Sequence, residues 1–179
     1  NSNMPQVLYV GRLIGAKGVD TLIQAVEGLS VDLRIVGDGS ESSYLKSLAS
    51  NQRSKISFEG WIEYDQLPSY YNSADIFVHP ATWPEPFGRS VLESLQCGTP
   101  AIVSRIGAPP WIVGNAGVPF EPGNKDDLAS TLSELVADAS IRKKLAANCG
   151  DRVEQFAPDR IIPQMLSEYQ NLLNDVRSC

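Results

Sequence analysis

Short apolar runs alternate along the chain with longer segments in which apolar residues recur at helical spacing. Residues 6–11 contain the continuous run Val-Leu-Tyr-Val, whose length and β-branched content favour a buried strand over a helix. Comparable runs predict further strands at residues 31–36, 55–62, 74–80, 101–104 and, interrupted by Pro119, 118–120. Helical spacing predicts helices at residues 19–29, 41–51, 88–97, 125–137, 141–156 and 160–176. Asp65 is suited to cap a further helix that carries Leu67.

The regular alternation of strands and helices indicates the fold class. Parallel strands need long crossover connections, which helices usually supply in a right-handed sense. We therefore predict an α/β protein: a single Rossmann-like, doubly wound domain with a mainly parallel sheet of about six strands. Ligands of such sheets bind beyond the carboxyl ends of the strands. Four glycine-containing segments follow predicted strands, so these segments are expected to meet in one crevice.

One of these segments combines a helix start with two carboxylates. Gly88 opens a predicted helix, whose unpaired first-turn amides and positive dipole end form a site suited to phosphate. The amides concerned are those of Phe87, Gly88, Arg89 and Ser90. Glu85 and Glu93 would repel a phosphate, so they are better suited to bind uncharged hydroxyl groups. A ligand with a central diphosphate and polyol groups at both ends, a nucleotide sugar, fits this pattern.

Two cations lie in the glycine-rich loop after the first predicted strand. Arg12 can hold two phosphate oxygens with its guanidinium fork, and Lys17 adds a point charge. An isolated pair of this kind would be interpreted as solvated surface charges. The other features of the predicted crevice favour a diphosphate clamp instead.

The motifs of the chain, taken in order, resemble those of a known enzyme family. Glu85 and Glu93 are separated by seven residues in Glu-Pro-Phe-Gly-Arg-Ser-Val-Leu-Glu, which resembles the E-x7-E motif of retaining glycosyltransferases with the GT-B fold, the group 1 glycosyl transferases. The further matches, within residues 7–128, are Val10-Gly11-Arg12, Lys17-Gly18, Val36-Gly37-Asp38-Gly39, Phe58-Glu59-Gly60, Ala74-Asp75-Ile76-Phe77-Val78 and Cys97-Gly98-Thr99-Pro100. Two glutamates at this spacing occur often by chance, whereas the whole ordered set is specific.

The resemblance implies a role for each matching residue. Glu85 would bind hydroxyls of the transferred sugar, Glu93 would bind those of the ribose, and Arg12 and Lys17 would bind the diphosphate without a metal ion or other cofactor. The catalytic residues are then Glu85, Arg12 and Lys17. The implied donor-binding residues are Glu93, Phe87, Gly88, Arg89, Ser90, Gly11, Gly37, Trp61, Ile62 and Leu67. Trp61 is expected to stack on the base, while Leu67 is as well explained as a core residue.

The resemblance also implies an activity and a domain organisation. The activity is transfer of a sugar, with retention at the anomeric carbon, from a nucleotide sugar (a UDP-sugar is favoured) to a hydroxyl acceptor. Residues 1–5 would be a leader or linker remnant, and residues 6–158 the donor-binding domain, which is the C-terminal half of a GT-B fold. Residues 159–179 would form a helix that reaches toward an absent N-terminal domain, where the acceptor binds. Of two explanations, an excised domain or a naturally small protein, we favour the excised domain, and we expect it to be inactive alone. The resemblance allows peripheral membrane association of the full-length protein.

Other interpretations stay open on the sequence. A non-catalytic module that senses nucleotide sugars would share the binding residues. An epimerase or phosphorylase of similar fold is a second alternative, although no motif for a lysine-bound pyridoxal cofactor is visible. His79, the single histidine, precedes Pro80 at a strand end that faces the predicted crevice. A structural or pocket-lining role is favoured over that of a general base, because no partner carboxylate is evident at a telling spacing.

One position departs from the family pattern. The loop after the fifth strand commonly carries Gly-Gly-x-x-Glu in the family, whereas this chain has Gly107-Ala108-Pro109-Pro110-Trp111. Because Trp111 stands where the acid is usual, the phosphate contacts of this loop and the sugar specificity stay open.

Composition argues against several classes of partner. The 179-residue chain has a net charge of −6 with scattered basic residues, which argues against nucleic acid or an anionic membrane as the main partner. Cys97, Cys149 and Cys179 lack metal-binding spacing and are expected to be free thiols in a reducing, cytoplasmic location. No apolar run of the length of a membrane span is visible.

Overall fold

A computed structural model describes residues 4–177 of the chain, so Cys179 lies outside the described residues. The strands are β1 Gln6–Val10, β2 Asp32–Val36, β3 Lys55–Gly60, β4 Ile76–His79, β5 Ala101–Ser104 and β6 Gly117–Phe120. The α-helices are α1 Val19–Ala25, α2 Ser42–Ser50, α3 Leu67–Ser73, α4 Arg89–Gln96, α5 Pro109–Val113, α6 Lys125–Ala137, α7 Ala139–Ala147, α8 Cys149–Glu154 and α9 Pro158–Arg177. Short 3-10 turns are present at Gly15–Lys17, Tyr64–Gln66 and Gly114–Ala116.

These strands form one parallel sheet in the order β3-β2-β1-β4-β5-β6. The chain builds outward from β1 to β3 and then returns to place β4 on the other side of β1. The strand order therefore reverses between β1 and β4, which is where a doubly wound sheet opens a crevice at its carboxyl edge. Strand β6, which contains Pro119, lies at the sheet edge, where a missing amide is tolerated. The predicted α/β fold and its six-stranded sheet are confirmed.

Side chains on both faces of the sheet are buried, because helices cover both sides. Successive residues of a strand point to opposite faces. Val7 and Tyr9 therefore join a core cluster with residues of α1, α2 and α6. Leu8 and Val10 join a second cluster with residues of α3, α4, α5 and α8. The two cores fix the strand ends, and with them the loops that follow.

Several helical features near the site differ from the prediction. Helix α1 ends at Ala25 rather than at residue 29, so the apolar residues that follow it belong to a turn that packs on the core. Asp65 lies in a 3-10 turn and does not cap α3, whose N-cap residue is Gln66 and makes no side-chain cap hydrogen bond. The loop after β5 contains the short helix α5, which begins with two prolines; proline is tolerated in a first turn because the amides there have no helical partner.

The segment predicted as one helix over residues 141–156 consists of two helices that meet at Asn148. The side-chain amide of Asn148 donates to the carbonyl oxygens of Lys144, at 3.1 Å, and of Asn115, at 2.9 Å. Asparagine commonly ends helices by such side-chain to backbone bonds. The contact with Asn115, which is remote in sequence, fixes the junction against the turn before β6.

Helix α9 carries an exposed apolar face. Its apolar side chains that are at least half exposed are Ile162, Met165, Leu166, Tyr169, Leu172 and Leu173. The apolar face of the last helix is thus largely uncovered in this chain. That this helix reaches toward a further domain stays a prediction. Among residues 4–177, none of the helices combines the length and the apolar content that crossing a bilayer requires.

Candidate functional site

A cleft of about 550 Å³ opens at the carboxyl ends of the central strands. It is lined by Gly11 after β1, Gly37 after β2, Trp61 after β3 and Glu85 in the loop after β4. The four segments that were predicted to converge therefore do so. The volume lies within the range of ~300–1,000 Å³ that is typical of small-molecule sites.

All residues predicted from the sequence as catalytic or donor-binding line this cleft. They are Glu85, Arg12, Lys17, Glu93, Phe87, Gly88, Arg89, Ser90, Gly11, Gly37, Trp61, Ile62 and Leu67. The lining also includes Tyr9, Val10, Val36, Asp38, Tyr64, His79 and Pro86. Shared location makes a common ligand feasible, while the role of each side chain stays a prediction.

Close backbone contacts hold the loops around the cleft together. Gly37 has φ 128°, and a β-carbon there would lie 1.9 Å from the carbonyl oxygen of Gly11. Only glycine permits this approach of the loops after β1 and β2. The loop after β4 is tied to the loop after β1 by a hydrogen bond from the Thr82 amide to the Ala16 carbonyl, at 3.1 Å.

Helix α4 begins at the cleft with an open first turn. Its N-cap residue, Gly88, has φ 86°, a left-handed conformation that L-residues with side chains rarely adopt. Arg89 and Ser90 form the start of the helix and both line the cleft, and the first turn contains no acidic side chain. The helix start therefore offers amides, a positive dipole end and one guanidinium to an anion.

Lys17 and Glu85 form an ion pair inside the cleft. The Nζ atom of Lys17 donates to Oε1 of Glu85, and each side chain is 16% exposed. The two residues are 68 positions apart, so the pair depends on the loops after β1 and β4 being neighbours. A ligand that carries both phosphate and hydroxyl groups can satisfy the cation and the carboxylate separately.

Glu93, on α4, is held by a buried tyrosine. The Tyr71 hydroxyl donates to Oε2 of Glu93 at 2.9 Å, and Tyr71 is 1% exposed. Burial, and next the charge of Glu93, raise the pKa of Tyr71, so the phenol stays protonated and remains a donor. One carboxylate oxygen of Glu93 is thereby fixed, and the other is left for a ligand. Tyr71 had no predicted role, because nothing local in the sequence links it to a residue 22 positions away.

The loop that carries Arg12 is held by Tyr9. The Tyr9 hydroxyl donates to the carbonyl oxygen of Arg12 at 2.9 Å, while the Arg12 side chain is exposed. Burial, followed by the charge of Glu85, raises the pKa of Tyr9, and the charge of Arg12 opposes this effect. In the sequence Tyr9 is one residue of an apolar run, so its phenol had no predicted function.

Asp38 and His79 contribute differently to the lining. The Ser42 hydroxyl, and next the Gly39 amide, donate to Asp38 and lower its pKa, which is the pattern of a turn carboxylate. His79 is 3% exposed, and burial, with the nearby charge of Lys17, lowers its pKa to about 4 against an opposing effect of Glu85. The imidazole is therefore neutral at pH 7, as a pocket-lining residue would be.

The three residues predicted to bind the base lie together at one end of the cleft. Trp61 is 68% exposed, so its ring is free to pack on a ligand. Ile62 and Leu67 are half-buried and pack against the second core cluster while they also line the cleft. Leu67 therefore packs on the core and also lines the cleft, and its contact with a base stays a prediction.

The tryptophan that replaces the usual acid of the family packs away from the cleft. Trp111 lies edge-on to Phe156, with ring centroids 4.9 Å apart, and the Arg152 guanidinium lies over both rings.

Within the described part of the chain, no group of three or more His, Cys, Asp or Glu side chains could hold a metal ion. A metal-independent reaction stays a prediction.

Comparison with known proteins gives one family. The sequence model of the family Glycosyl transferases group 1 matches residues 1–154. The lipopolysaccharide core biosynthesis glycosyltransferase LpsE of Rhizobium meliloti is 34% identical over 166 residues, which cover 89% of this chain and 48% of LpsE. An uncharacterized glycosyltransferase of Methanocaldococcus jannaschii, MJ1607, is 32% identical over 173 residues, covering 92% of this chain and 44% of its own length. This chain thus spans about half the length of the curated relatives it matches.

Solved structures agree with this result. Sucrose-phosphate synthase from Thermosynechococcus elongatus superposes with a TM-score of 0.82 at 28% identity, covering 98% of this chain and 47% of that one. HepE of Anabaena, in complex with UDP and glucose, superposes with a TM-score of 0.80 at 26% identity, covering 94% of this chain and 49% of that one. The fold, the cleft and the sequence match agree, and the chain belongs to the group 1 family of glycosyl transferases.

Proposed function

We propose that this chain is the donor-binding half of a retaining glycosyltransferase that moves a sugar from a nucleotide sugar, preferably a UDP-sugar, to a hydroxyl acceptor. One observation carries the proposal: both carboxylates, both loop cations and the start of α4 share one cleft. Phosphate groups need the cations and the amides, and hydroxyl groups need the carboxylates. A nucleotide sugar presents both kinds of group in one molecule.

The order of the lining residues suggests how such a donor would lie. The base would pack on Trp61, and the ribose hydroxyls would bind the free oxygen of Glu93. The diphosphate would lie against the start of α4, between Arg12 and Lys17. The transferred sugar would then reach Glu85, in the loop after β4. Each part of the donor meets a group of suitable chemistry.

The proposed reaction places most of the catalytic work on charge stabilisation. The acceptor hydroxyl attacks the anomeric carbon from the face that the diphosphate leaves, and an oxygen of the departing phosphate takes the proton. Negative charge grows on the diphosphate as the bond breaks, and Arg12, Lys17 and the α4 amides are positioned to stabilise it. Glu85 would orient the sugar through its hydroxyls. These cations and amides would make a metal ion unnecessary.

The named relatives support the choice of donor class. HepE forms complexes with UDP and with UDP-glucose. A relative from Corynebacterium glutamicum, 30% identical over 168 residues, is named a GDP-mannose-dependent alpha-mannosyltransferase. We therefore expect UDP-sugars to bind first and GDP-mannose second. Because this chain spans about half of such relatives, the acceptor would bind to a second domain.

A thermal-shift panel of UDP-, GDP- and ADP-sugars tests donor binding. A ligand at 100 times its Kd stabilises the folded state by about 2.7 kcal/mol, which gives a measurable rise in Tm. We expect one nucleotide class to raise Tm and free monosaccharides to leave it unchanged. The Glu93→Gln variant should lose most of the shift, while Glu59→Gln, a change outside the cleft, should keep it. A panel in which no nucleotide sugar shifts Tm would contradict the proposal.

Transfer assays separate an enzyme from a non-catalytic binding module. The full-length gene product should hydrolyse or transfer the sugar of the donor that this chain binds. This chain alone should bind the same donor but transfer poorly, since the acceptor-binding domain is needed to complete the site. Robust transfer by residues 1–179 alone would refute the donor-half assignment. Donor binding without turnover by the full-length protein would favour the binding module.

A further inference from the structure

His79 lies in the wall of the cleft, at the end away from Trp61. It is the last residue of β4, its ring lines the cleft, and its side chain is almost completely buried. Across the sheet, Gly60 pairs with Val36, which in turn pairs with Val10. Leu8 pairs with Phe77, so two residues further along these parallel strands Val10 is level with His79. Three strand spacings of about 4.8 Å separate Gly60 from His79, roughly 14 Å in all. His79 and the Trp61 side therefore lie at opposite ends of the cleft.

The ring of His79 has unused hydrogen-bonding capacity. Neither Nδ1 nor Nε2 has a hydrogen-bond partner among the described residues. Folded proteins rarely bury a polar side chain without a partner, because the group loses its hydration and gains nothing in return. An unpartnered polar ring that lines a ligand cleft is best explained by a contact with the ligand.

The surroundings decide what that contact can be. Burial, and next the charge of Lys17, lower the pKa of His79 to about 4 against the opposing charge of Glu85, so the ring is neutral at pH 7. A neutral imidazole offers one donor and one acceptor. A sugar hydroxyl also donates and accepts, whereas a phosphate only accepts and has stronger partners in Lys17 and Arg12.

We propose that His79 binds a hydroxyl of the transferred sugar, beside Glu85, and so helps to select the sugar of the donor. The inference rests on the proposed function, since it requires a nucleotide sugar in this cleft. A diphosphate that attracts Lys17 draws it away from Glu85 and opens space beside the ring. The carboxylate of Glu85 and the imidazole of His79 then hold the same sugar from two sides.

Paired titrations with UDP and UDP-glucose, and with GDP and GDP-mannose, test the inference by calorimetry on residues 1–179. The His79→Leu variant removes the polar ring but keeps an apolar side chain in the core. It should weaken binding of the nucleotide sugar by roughly 3- to 10-fold, as expected for one neutral hydrogen bond, and leave binding of the free nucleoside diphosphate within 2-fold. His79→Gln, which keeps a donor and an acceptor, should retain more of the sugar-dependent affinity than His79→Leu.

Ser104 provides a matched control. It ends the neighbouring strand β5, is also buried, and its hydroxyl likewise has no partner among the described residues, but it does not line the cleft. Ser104→Ala should leave all four affinities unchanged. The Tm of each variant reports whether it folds, and His79→Leu should melt no lower than the wild type, because leucine keeps a buried apolar side chain and no hydrogen bond is lost.

Each outcome decides a separate claim. Loss of sugar-nucleotide affinity in His79→Leu, with unchanged diphosphate affinity and Tm, supports the contact. The contact is overturned if His79→Leu weakens the binding of nucleoside diphosphate and of nucleotide sugar equally, or changes neither. It is also overturned if His79→Leu and His79→Gln have equal effects on these affinities. In each of these cases the proposed function stands. If the wild type binds none of the four ligands, the proposed function fails and this inference with it.

Discussion

Replacing Tyr71 by phenylalanine tests how the cleft presents Glu93. The change deletes one hydroxyl, which donates to Oε2 of Glu93 at 2.9 Å, and keeps the ring in its edge-on contact with Phe77, at 5.6 Å between centroids. Packing is therefore preserved, and only the support of the carboxylate is lost. Because its pKa is raised, the phenol donates throughout the neutral range, so the effect should not depend on pH between 6 and 9.

The expected magnitude follows from the freedom that Glu93 regains. Ordering one long side chain on binding costs about 0.5–1.5 kcal/mol, so Kd should rise by about 2- to 10-fold. Loss of the hydrogen bond should lower the free energy of unfolding by about 1 kcal/mol. If Glu93 binds the ribose, the same factor applies to a nucleoside diphosphate and to its nucleotide sugar, since both carry the ribose.

Calorimetry with UDP and UDP-glucose measures both constants, and urea unfolding measures the stability. Tyr70→Phe is the matched control, because Tyr70 is the preceding residue of α3 but does not line the cleft. Its affinities should equal those of the wild type. Unchanged affinity in Tyr71→Phe, or a loss confined to the sugar nucleotide, would refute the reasoning that Tyr71 orients a ribose ligand.

Three further predictions concern other parts of the site. Burial lowers the pKa of His79 to about 4, so the unfolded chain binds a proton at this residue more readily than the folded chain does. The free energy of unfolding should therefore fall by about 3 kcal/mol as the pH drops from 6.5 to 4. Urea titrations should show this loss in the wild type and a smaller loss in His79→Leu. Gly37→Ala should destabilise by at least about 3 kcal/mol in urea unfolding, because its β-carbon meets a carbonyl oxygen, whereas Gly150→Ala, in an open helical position, should be neutral or stabilising. In the full-length enzyme, Arg12→Ala and Lys17→Ala should each cost about 2–4 kcal/mol of transition-state stabilisation, and a kcat/KM equal to the wild type's would contradict their catalytic role.

The local structure was predictable wherever one segment determines its own conformation. Strand β5 and helix α6 have the predicted bounds, because apolar runs and helical spacing are local signals. The junction at Asn148 was missed, since it is fixed partly by the carbonyl of Asn115, 33 residues away. Boundaries that depend on remote partners leave no trace in a short window of sequence.

The membership of the site was also predictable, but its internal pairing was not. Glycine-containing segments after strands identified the cleft lining, because parallel strands bring their carboxyl ends to one edge. The bonds from Lys17 to Glu85 and from Tyr71 to Glu93 connect residues 68 and 22 positions apart. Lys17, Glu85 and Glu93 were predicted from the sequence as ligand-binding groups, but neither their contacts nor any role for Tyr71 was foreseen.

By itself, the sequence determined the α/β alternation, the turn positions that require glycine, and the set of charged groups available at the carboxyl edge of the sheet, since each depends on residues close together in the chain. Only the tertiary structure decided which charges pair, which oxygen of Glu93 stays free and why the ring of His79 has no partner. These features are set by the packing of β1 against β4 and of α3 against α4, where side-chain distances change with small shifts between elements that no local pattern encodes.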